Sequence, residues 1–334
     1  MPSQACRVRR DRTADDSYNP WLHGFSVAVL VATFLLLLAG GNVTSKAAGM
    51  AVPDWPLSFQ SVNPDGWTSN FNGEKPGVRD EHGHRLIGAT VGFLVTVLAI
   101  WLAVREPRRW VKGLGLAALA AVIAQGVMGG LRVLDNSITL AIVHGCFAQA
   151  FFCLMVGIVA VTSRRWSADV RRDGLRGGTV TAAADSALGW ACGGCVLVIY
   201  VQLILGAVLR HTQWTWIPHM SWAVVVGLAL MTMARYVYQH AYARQALSRA
   251  MIAVLVLYGV QIVLGLSTLL VIHPMWTKGL REPHTLAQTW LPTVHLAVGA
   301  AILGTAAYLA VRAIGIGHRG GELTLRRQVE GVPA

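Results

Sequence analysis

The chain has 334 residues, 54% of them hydrophobic and only 13% charged, with a formal net charge of +12. Its mean hydropathy is +0.51 and its isoelectric point about 10.1. So apolar a chain is not a soluble domain but an integral membrane protein. The basic balance by itself would also fit a nucleic-acid partner, but the way the charge is distributed excludes one.

About 20 apolar residues cross a bilayer as a helix. Eight segments reach that length, at roughly 24–42, 84–104, 112–132, 138–162, 187–209, 217–235, 250–272 and 290–312. They are long continuous runs rather than short alternating ones, which excludes a transmembrane β-barrel.

Arg7, Arg9, Arg10 and Arg12 precede span one. That span is too long for a cleavable signal and has no small-residue cleavage site behind it. It ends at Gly40 and Gly41 and leads into a long outer loop, about 42–80, with Asp54-Trp55-Pro56, Asn63-Pro64 and several glycines. Loops of this length are usually functional or disordered. Met50-Ala51-Val52 and Trp55-Pro56-Leu57 give this one apolar material, which predicts a cover lying over the first pocket. Span two opens with Glu81-His82-Gly83-His84-Arg85. Arg105, Arg108, Arg109 and Lys112 lead into span three, which carries Gln125 and Gly129 and ends at Arg132. Span four begins with His144 in its first turns.

A basic, glycine-containing join follows, with Arg164, Arg165, Arg171, Arg172 and Arg176. Span five holds Cys192-Gly-Gly-Cys195, then Gln202, Gly206 and Arg210. The cysteine pair lies inside an apolar span without further ligands, so helix packing is its expected role. No cysteine lies in an outer loop, and no structural disulfide is expected there. Trp214 and Trp216 suit an outer aromatic belt, and span six carries His219. Span seven has Gln261 and Gly265, and the outer loop 274–288 is a second cover candidate before span eight and His295. Arg235, Arg244 and Arg249 follow span six, and Arg312, Arg319, Arg326 and Arg327 follow span eight. Twenty of the 28 lysines and arginines therefore fall on one side. The positive-inside rule makes that side cytoplasmic, with both termini there and the protein in the cell's inner (plasma) membrane. The charge sets topology and meets anionic lipid, not nucleic acid.

Spans three, five and seven share Q-x-x-x-G near their outer ends, and span one keeps only the glycine end. Spans two, four, six and eight each carry a histidine followed four residues later by a small residue: His84 and Gly88, His144 and Ala148, His219 and Ala223, His295 and Gly299. This alternation predicts a parallel internal duplication, an all-α fold of eight transmembrane helices arranged as two pseudo-symmetric four-helix bundles. The expected division is a tail at 1–23, a first bundle at 24–163, a linker at 164–186, a second bundle at 187–312 and a tail at 313–334.

An intramembrane histidine is costly and is by default a functional-site hypothesis. Haem iron takes imidazole as an axial ligand, and two ligands from two helices leave a slot for the ring. A small residue at i+4 shares the histidine's face and would leave room for the porphyrin. Four such motifs in register predict two haem sites, His84 with His144 and His219 with His295; the alternative is histidines that only bond between helices. Glu81 shares the face of His84, and no other of the four has a carboxylate at that offset, so the halves are unequal. Beside a haem edge Glu81 would move protons, position water or stabilise charge; the plainer reading pairs it with Arg85 or Arg79. Arg132 and Arg210 are candidates for haem propionates, with interfacial snorkelling as the alternative. His82 faces away from His84 and reads as interfacial. His23, His240 and His318 fall on the cytoplasmic side, and His211, His273 and His284 in outer loops.

With these residues in order, the chain resembles the heme A synthase family from about Gly40 to Val311. The resemblance rests on Glu81 through Gly88, Gln125 through Gly130 with His144, Gln202 through Gly206 with His219, Gln261 through Gly265 with His295, and the loop stretch Gly49 through Leu57. It implies haem O as substrate at His84 and His144, haem b at His219 and His295, an essential glutamate at Glu81, and oxidation of a ring methyl to a formyl group. It also implies haem A as product for cytochrome oxidase, and as partners haem O synthase, oxidase assembly factors, an electron acceptor and further copies of the chain. Many members carry a cysteine pair in the first outer loop and Thr-Arg near the end of span one; this chain has no such cysteines, and Thr44-Ser45-Lys46 stands at the second place. The readings from other classes are a bis-histidine diheme electron carrier linked to quinone and a haem-handling transporter or chaperone.

Overall fold

Asn19 starts the first helix: its side-chain oxygen accepts from the backbone N–H of Trp21 and Leu22 at 3.0 and 3.1 Å, and Pro20 follows at the first helical position. Both are standard ways to satisfy the orphan donors of a helix start. In this computed structural model, which describes residues 18–68, 77–166, 182–213, 216–280, 283 and 285–330, the helices are α1 (Pro20–Ser45), α2 (Val78–Arg105), α3 (Arg109–Leu134), α4 (Ile138–Thr162), α5 (Ala182–Thr212), α6 (Ile217–Gln239), α7 (Ala241–Thr277) and α8 (Leu286–Glu330). Eight helices among the described residues are long and apolar enough to cross a membrane. The protein is an all-α, multi-pass membrane protein, as expected: helices satisfy their own backbone groups where no water can.

The short links keep sequential helices side by side. α1 packs on α2 and α4, α2 on α3, and α3 on α4, which closes a ring of four. α5, α6, α7 and α8 close a second ring in the same order. The rings meet where α8 packs on α1 and α4, and where α4 packs on α5. Hydrogen bonds cross this seam: Tyr200 Oη donates to the Cys146 carbonyl at 2.9 Å, Arg210 donates to the Gly41 carbonyl at 2.8 Å and to Ser45, and Ser45 pairs with Thr293. Each ring has its own core. One is built on Val29, Val95, Leu98, Leu102, Met155 and Ile158. The other is built on Leu188, Leu230, Met251, Leu303 and Leu309, with Cys192 and Cys195 buried inside it as packing residues. Phe93, Trp190 and Leu270 point outward, as side chains facing lipid should.

Two segments differ from the sequence expectation. The outer loop expected at 274–288 is entered by helix at both ends: α7 runs through Pro274 to Thr277, and α8 begins at Leu286. The stop is set later, where Gly279 takes φ +70° and the N–H groups of Lys278, Gly279 and Leu280 turn back onto Met275 and Trp276, a left-handed cap that favours glycine. α8 in turn continues past 312 to Glu330, through the stretch expected as a tail. His211 and His273, expected in loops, therefore lie near the ends of α5 and α7. Cys6, His284, Trp214, the N-terminal arginines and Arg171, Arg172 and Arg176 lie outside the described residues.

Candidate functional site

Each of the four histidines rests against a glycine of the preceding helix. A Cβ on Gly40 of α1 would lie 3.1 Å from Cε1 of His84. On Gly129 of α3 it would lie 3.1 Å from His144, on Gly206 of α5 2.9 Å from His219, and on Gly265 of α7 3.0 Å from His295. These are closer than an ordinary Cβ contact, so any larger residue would push the ring away from the helix that backs it. This is the physical content of the Q-x-x-x-G repeat, and the reason span one keeps its glycine. Of the small residues four places after the histidines, Gly88 and Gly299 lie against the preceding helix. Gly299 faces the carboxamide of Gln261, with Nε2 at 3.1 Å from a built Cβ, and Gly88 faces Leu36 at 3.9 Å. One turn deeper than the histidine, the preceding helix already packs directly.

The glutamines reach the histidines as well. Gln125 Nε2 donates to the His144 carbonyl at 3.0 Å. Gln202 Nε2 donates to the His219 carbonyl at 2.9 Å and lies 3.2 Å from that ring's Nδ1. Gln261 Nε2 lies 3.4 Å from Nε2 of His295. In the second ring His219 and His295 face one another with ring centres 6.2 Å apart and planes at 73°. In the first, His84 and His144 are within electrostatic reach of each other, with Arg132 near both. Arg132 also donates to the Gly49 carbonyl at 3.3 Å. Arg210 lies near His295 and donates at 2.5 Å to Ser45 Oγ, which pairs with Thr293 at 2.8 Å.

Glu81 is buried, and its two oxygens are differently engaged. Oε1 takes Nη2 of Arg85 at 2.8 Å, and Oε2 accepts the Val52 N–H at 2.9 Å. Of the two partners foreseen for Glu81, Arg85 is the one found. Arg85 then donates to the carbonyls of Val52, Asp54 and Leu57 at 2.9, 2.6 and 3.0 Å. His82 is not at an open interface: it is buried, with Nδ1 2.8 Å from Ser58 Oγ and its ring edge-on to Trp67. Glu81, His82 and Arg85 together therefore hold the loop down on α2, while His84 turns towards Gly40. On the far side the Trp55 indole lies on Gly130 of α3, where a Cβ would overlap it. Gly130→Ala is expected to lift the loop off α3, seen as faster hydrogen exchange over 50–58 with the helices unchanged; unchanged exchange there would show that Trp55 does not hold it.

The loop carries its own staple. The Asp54 carboxylate accepts from Phe59 N at 2.8 Å and Gln60 N at 2.7 Å. Partial burial raises its pKa, but the backbone donors and Arg85 outweigh this and hold the carboxyl below its usual range. A lowered carboxyl gives stability that is complete above the unfolded value and is lost as pH falls through the folded one. Protection of the Phe59 and Gln60 amides is therefore expected to persist below pH about 3.9, the ordinary aspartate value, and to fail only in stronger acid. Loss already above that pH would sink the assignment. The sequence reading had no signal for Arg85 as a loop anchor, since its partners are backbone carbonyls.

Among the described residues no group of three or more His, Cys, Asp or Glu is placed to hold a metal ion. Histidine pairs suit a metal that brings its other ligands with it. The sequence profile of the COX15-CtaA family, the cytochrome oxidase assembly proteins, matches residues 24–217. The Heme A synthase of Beijerinckia indica subsp. indica is 26% identical over 344 residues, covering 83% of this chain and 91% of that protein. The Heme A synthase of Lysinibacillus sphaericus is 28% identical over 202 residues, 59% of this chain, and the match spans 60% of that protein's length. That of Alkalihalophilus pseudofirmus is 30% identical over 125 residues, 36% of this chain and 39% of that protein. The profile takes in the whole first ring with Glu81, His84 and His144 and stops two residues short of His219, and by that match the chain belongs to the COX15-CtaA family of cytochrome oxidase assembly proteins.

Proposed function

We propose that the chain is a haem A synthase, an oxidoreductase that converts a ring methyl of haem O into a formyl group by successive hydroxylations and so supplies haem A to cytochrome oxidase. The observation that carries this is the pairing of four glycine-backed histidines with one buried carboxylate, Glu81, at only one of the two pairs.

The residues fit a metalloporphyrin. The Nδ1 atoms of His84, His144 and His295 are buried without a hydrogen-bond partner, an arrangement that is costly in an apolar site unless the ring has a further role. The rings of His219 and His295 stand 6.2 Å apart, centre to centre, and together would hold the iron of a haem. His84 and His144 would hold the substrate haem O, and His219 and His295 a resident haem b. When bound, haem b supplies a one-electron redox centre inside the bilayer. Arg132 and Arg210, at the outer ends of α3 and α5, would meet propionates by charge-assisted bonds. Arg85 and the Val52 N–H fix the Glu81 carboxylate in one position, where it takes up a proton or balances positive charge near the reacting methyl. The loop from Gly49 to Ser58 covers this corner and limits water there. A diheme carrier that keeps both haems has no use for a carboxylate at one histidine alone.

On this reading the two rings are pseudo-symmetric bundles, 24–163 and 187–312, joined by 164–186, with both termini cytoplasmic and the protein in the inner membrane. Its partners are haem O synthase, assembly factors of the oxidase, an electron acceptor and further copies of the chain. The test is haem extraction and chromatography from membranes of cells that make haem O, with and without the intact protein. Haem A only with the protein is the expected result; haem O unchanged, with an electron acceptor supplied, would overturn it.

A further inference from the structure

The position four residues before each glycine shelf separates the four histidines into three and one. At Gly129, Gly206 and Gly265 it is Gln125, Gln202 and Gln261; at Gly40 it is Leu36. Each glutamine carboxamide touches the histidine of the following helix, at its carbonyl, its ring or both. The Oε1 atoms of all three are buried and have no partner, and so are the Nδ1 atoms of His144 and His295. A histidine that binds a metal through one ring nitrogen almost always donates the other N–H to an acceptor, which sets its tautomer and orientation. At His219 the carboxamide of Gln202 stands 3.2 Å from Nδ1 and at His295 that of Gln261 stands 3.4 Å from Nε2, whereas Gln125 meets His144 at its backbone carbonyl. At Gln261 a turn about the last side-chain torsion is enough to present the oxygen to Nε2 of His295, since the two ends of a carboxamide have nearly the same size; at Gln125 and Gln202 the amide N–H stays on the histidine carbonyl and holds the helix turn that carries the ring. His84 has no such neighbour: Leu36 packs on Gly88 and offers no polar atom, and Nδ1 of His84 is unpartnered.

We propose that Gln125, Gln202 and Gln261 are positioning residues that fix the orientation of His144, His219 and His295, and that His84, whose glycine shelf has Leu36 at the glutamine's place, is the one weakly held ligand. The inference rests on the haem reading above and deepens it. The second ring then grips its cofactor with two supported histidines. The first has one supported and one unsupported histidine, which suits a site that must take in a substrate and let a product go. The unsupported ligand is also the one that shares its face with Glu81.

The test uses full-length protein in detergent titrated with iron protoporphyrin IX, read by visible absorption and by low-temperature electron paramagnetic resonance, neither of which needs turnover. Gln202→Leu and Gln261→Leu copy the first site into the second. Each is expected to weaken retention of the second-ring haem about 10–100-fold, the usual cost of losing such a partner, and to shift its low-spin signal. The first-ring signal reports that the protein is folded. Leu36→Gln is the converse; Gly88 leaves room for the carboxamide, and haem is expected to leave the first ring more slowly. Unchanged retention and unchanged low-spin signals in both leucine variants would overturn the inference while leaving the haem reading standing. Wild-type protein that shows no bis-histidine signal at all would overturn both.

Discussion

Replacing Glu81 with alanine is expected to stop haem A formation, by at least about 100-fold, the lower range for loss of a positioned acid or base, while second-ring haem stays bound. The loop is expected to survive the change. The Val52 N–H and Arg85 Nη2 each lose their bond to Glu81, but Arg85 keeps its bonds to the carbonyls of Val52, Asp54 and Leu57, and His82 keeps Ser58. Loss of turnover with an intact loop would therefore report on the carboxylate and not on a collapsed site. Glu81→Gln sharpens the test: it keeps the shape and an acceptor for Val52 but not the charge facing Arg85. Haem A production by Glu81→Gln at the wild-type rate would rule out a proton or charge role and leave Glu81 as a structural bracket. The measurement is haem extraction and chromatography, beside hydrogen exchange over 50–58.

Removing either histidine of the second ring is expected to have a comparably large effect on cofactor content. His219→Ala or His295→Ala takes away a direct ligand, which should exceed the roughly 10–100-fold that loss of a supporting partner costs. The glycine shelves make this loss specific. With the imidazole gone, the space beside Gly206 or Gly265 is left open, and added imidazole is expected to enter it and restore part of the low-spin signal. Haem b content at the wild-type level in both variants would overturn the cofactor assignment. Retention of haem b with loss of haem A would instead assign these histidines to catalysis.

Much of this protein could be read before any fold was known. Eight spans were expected and eight membrane-length helices stand among the described residues. The differences are at ends: Pro274, which reads as the start of a loop, lies inside α7, and the tail after 312 carries on the helix of α8. A proline near the end of a long apolar run does not by itself stop a helix; the glycine cap at Gly279 does. The site was legible as a set of residues and not as a set of contacts. The small residues at Gly88 and Gly299 read as room for a ring, and the fold adds that they lie beside Leu36 and Gln261. The glutamines were visible only as a repeat, and Arg85 only as a partner for Glu81.

What the sequence determined by itself was local: how many segments cross the bilayer, how basic residues divide between the two sides, and which spans carry a histidine near their outer ends. These follow from run length and composition, because in hydrocarbon every backbone group must be satisfied within its own helix. What only the tertiary structure decided was the rotation of each helix about its axis. A span that is apolar all round has no polar face to betray which side packs inward. Gly40 under His84, Gln202 on His219 and the loop carbonyls around Arg85 are contacts between elements far apart in the chain or turned by packing alone. They are set by which helices touch in each ring, and through them His219 comes to face His295 and His144 comes within electrostatic reach of His84.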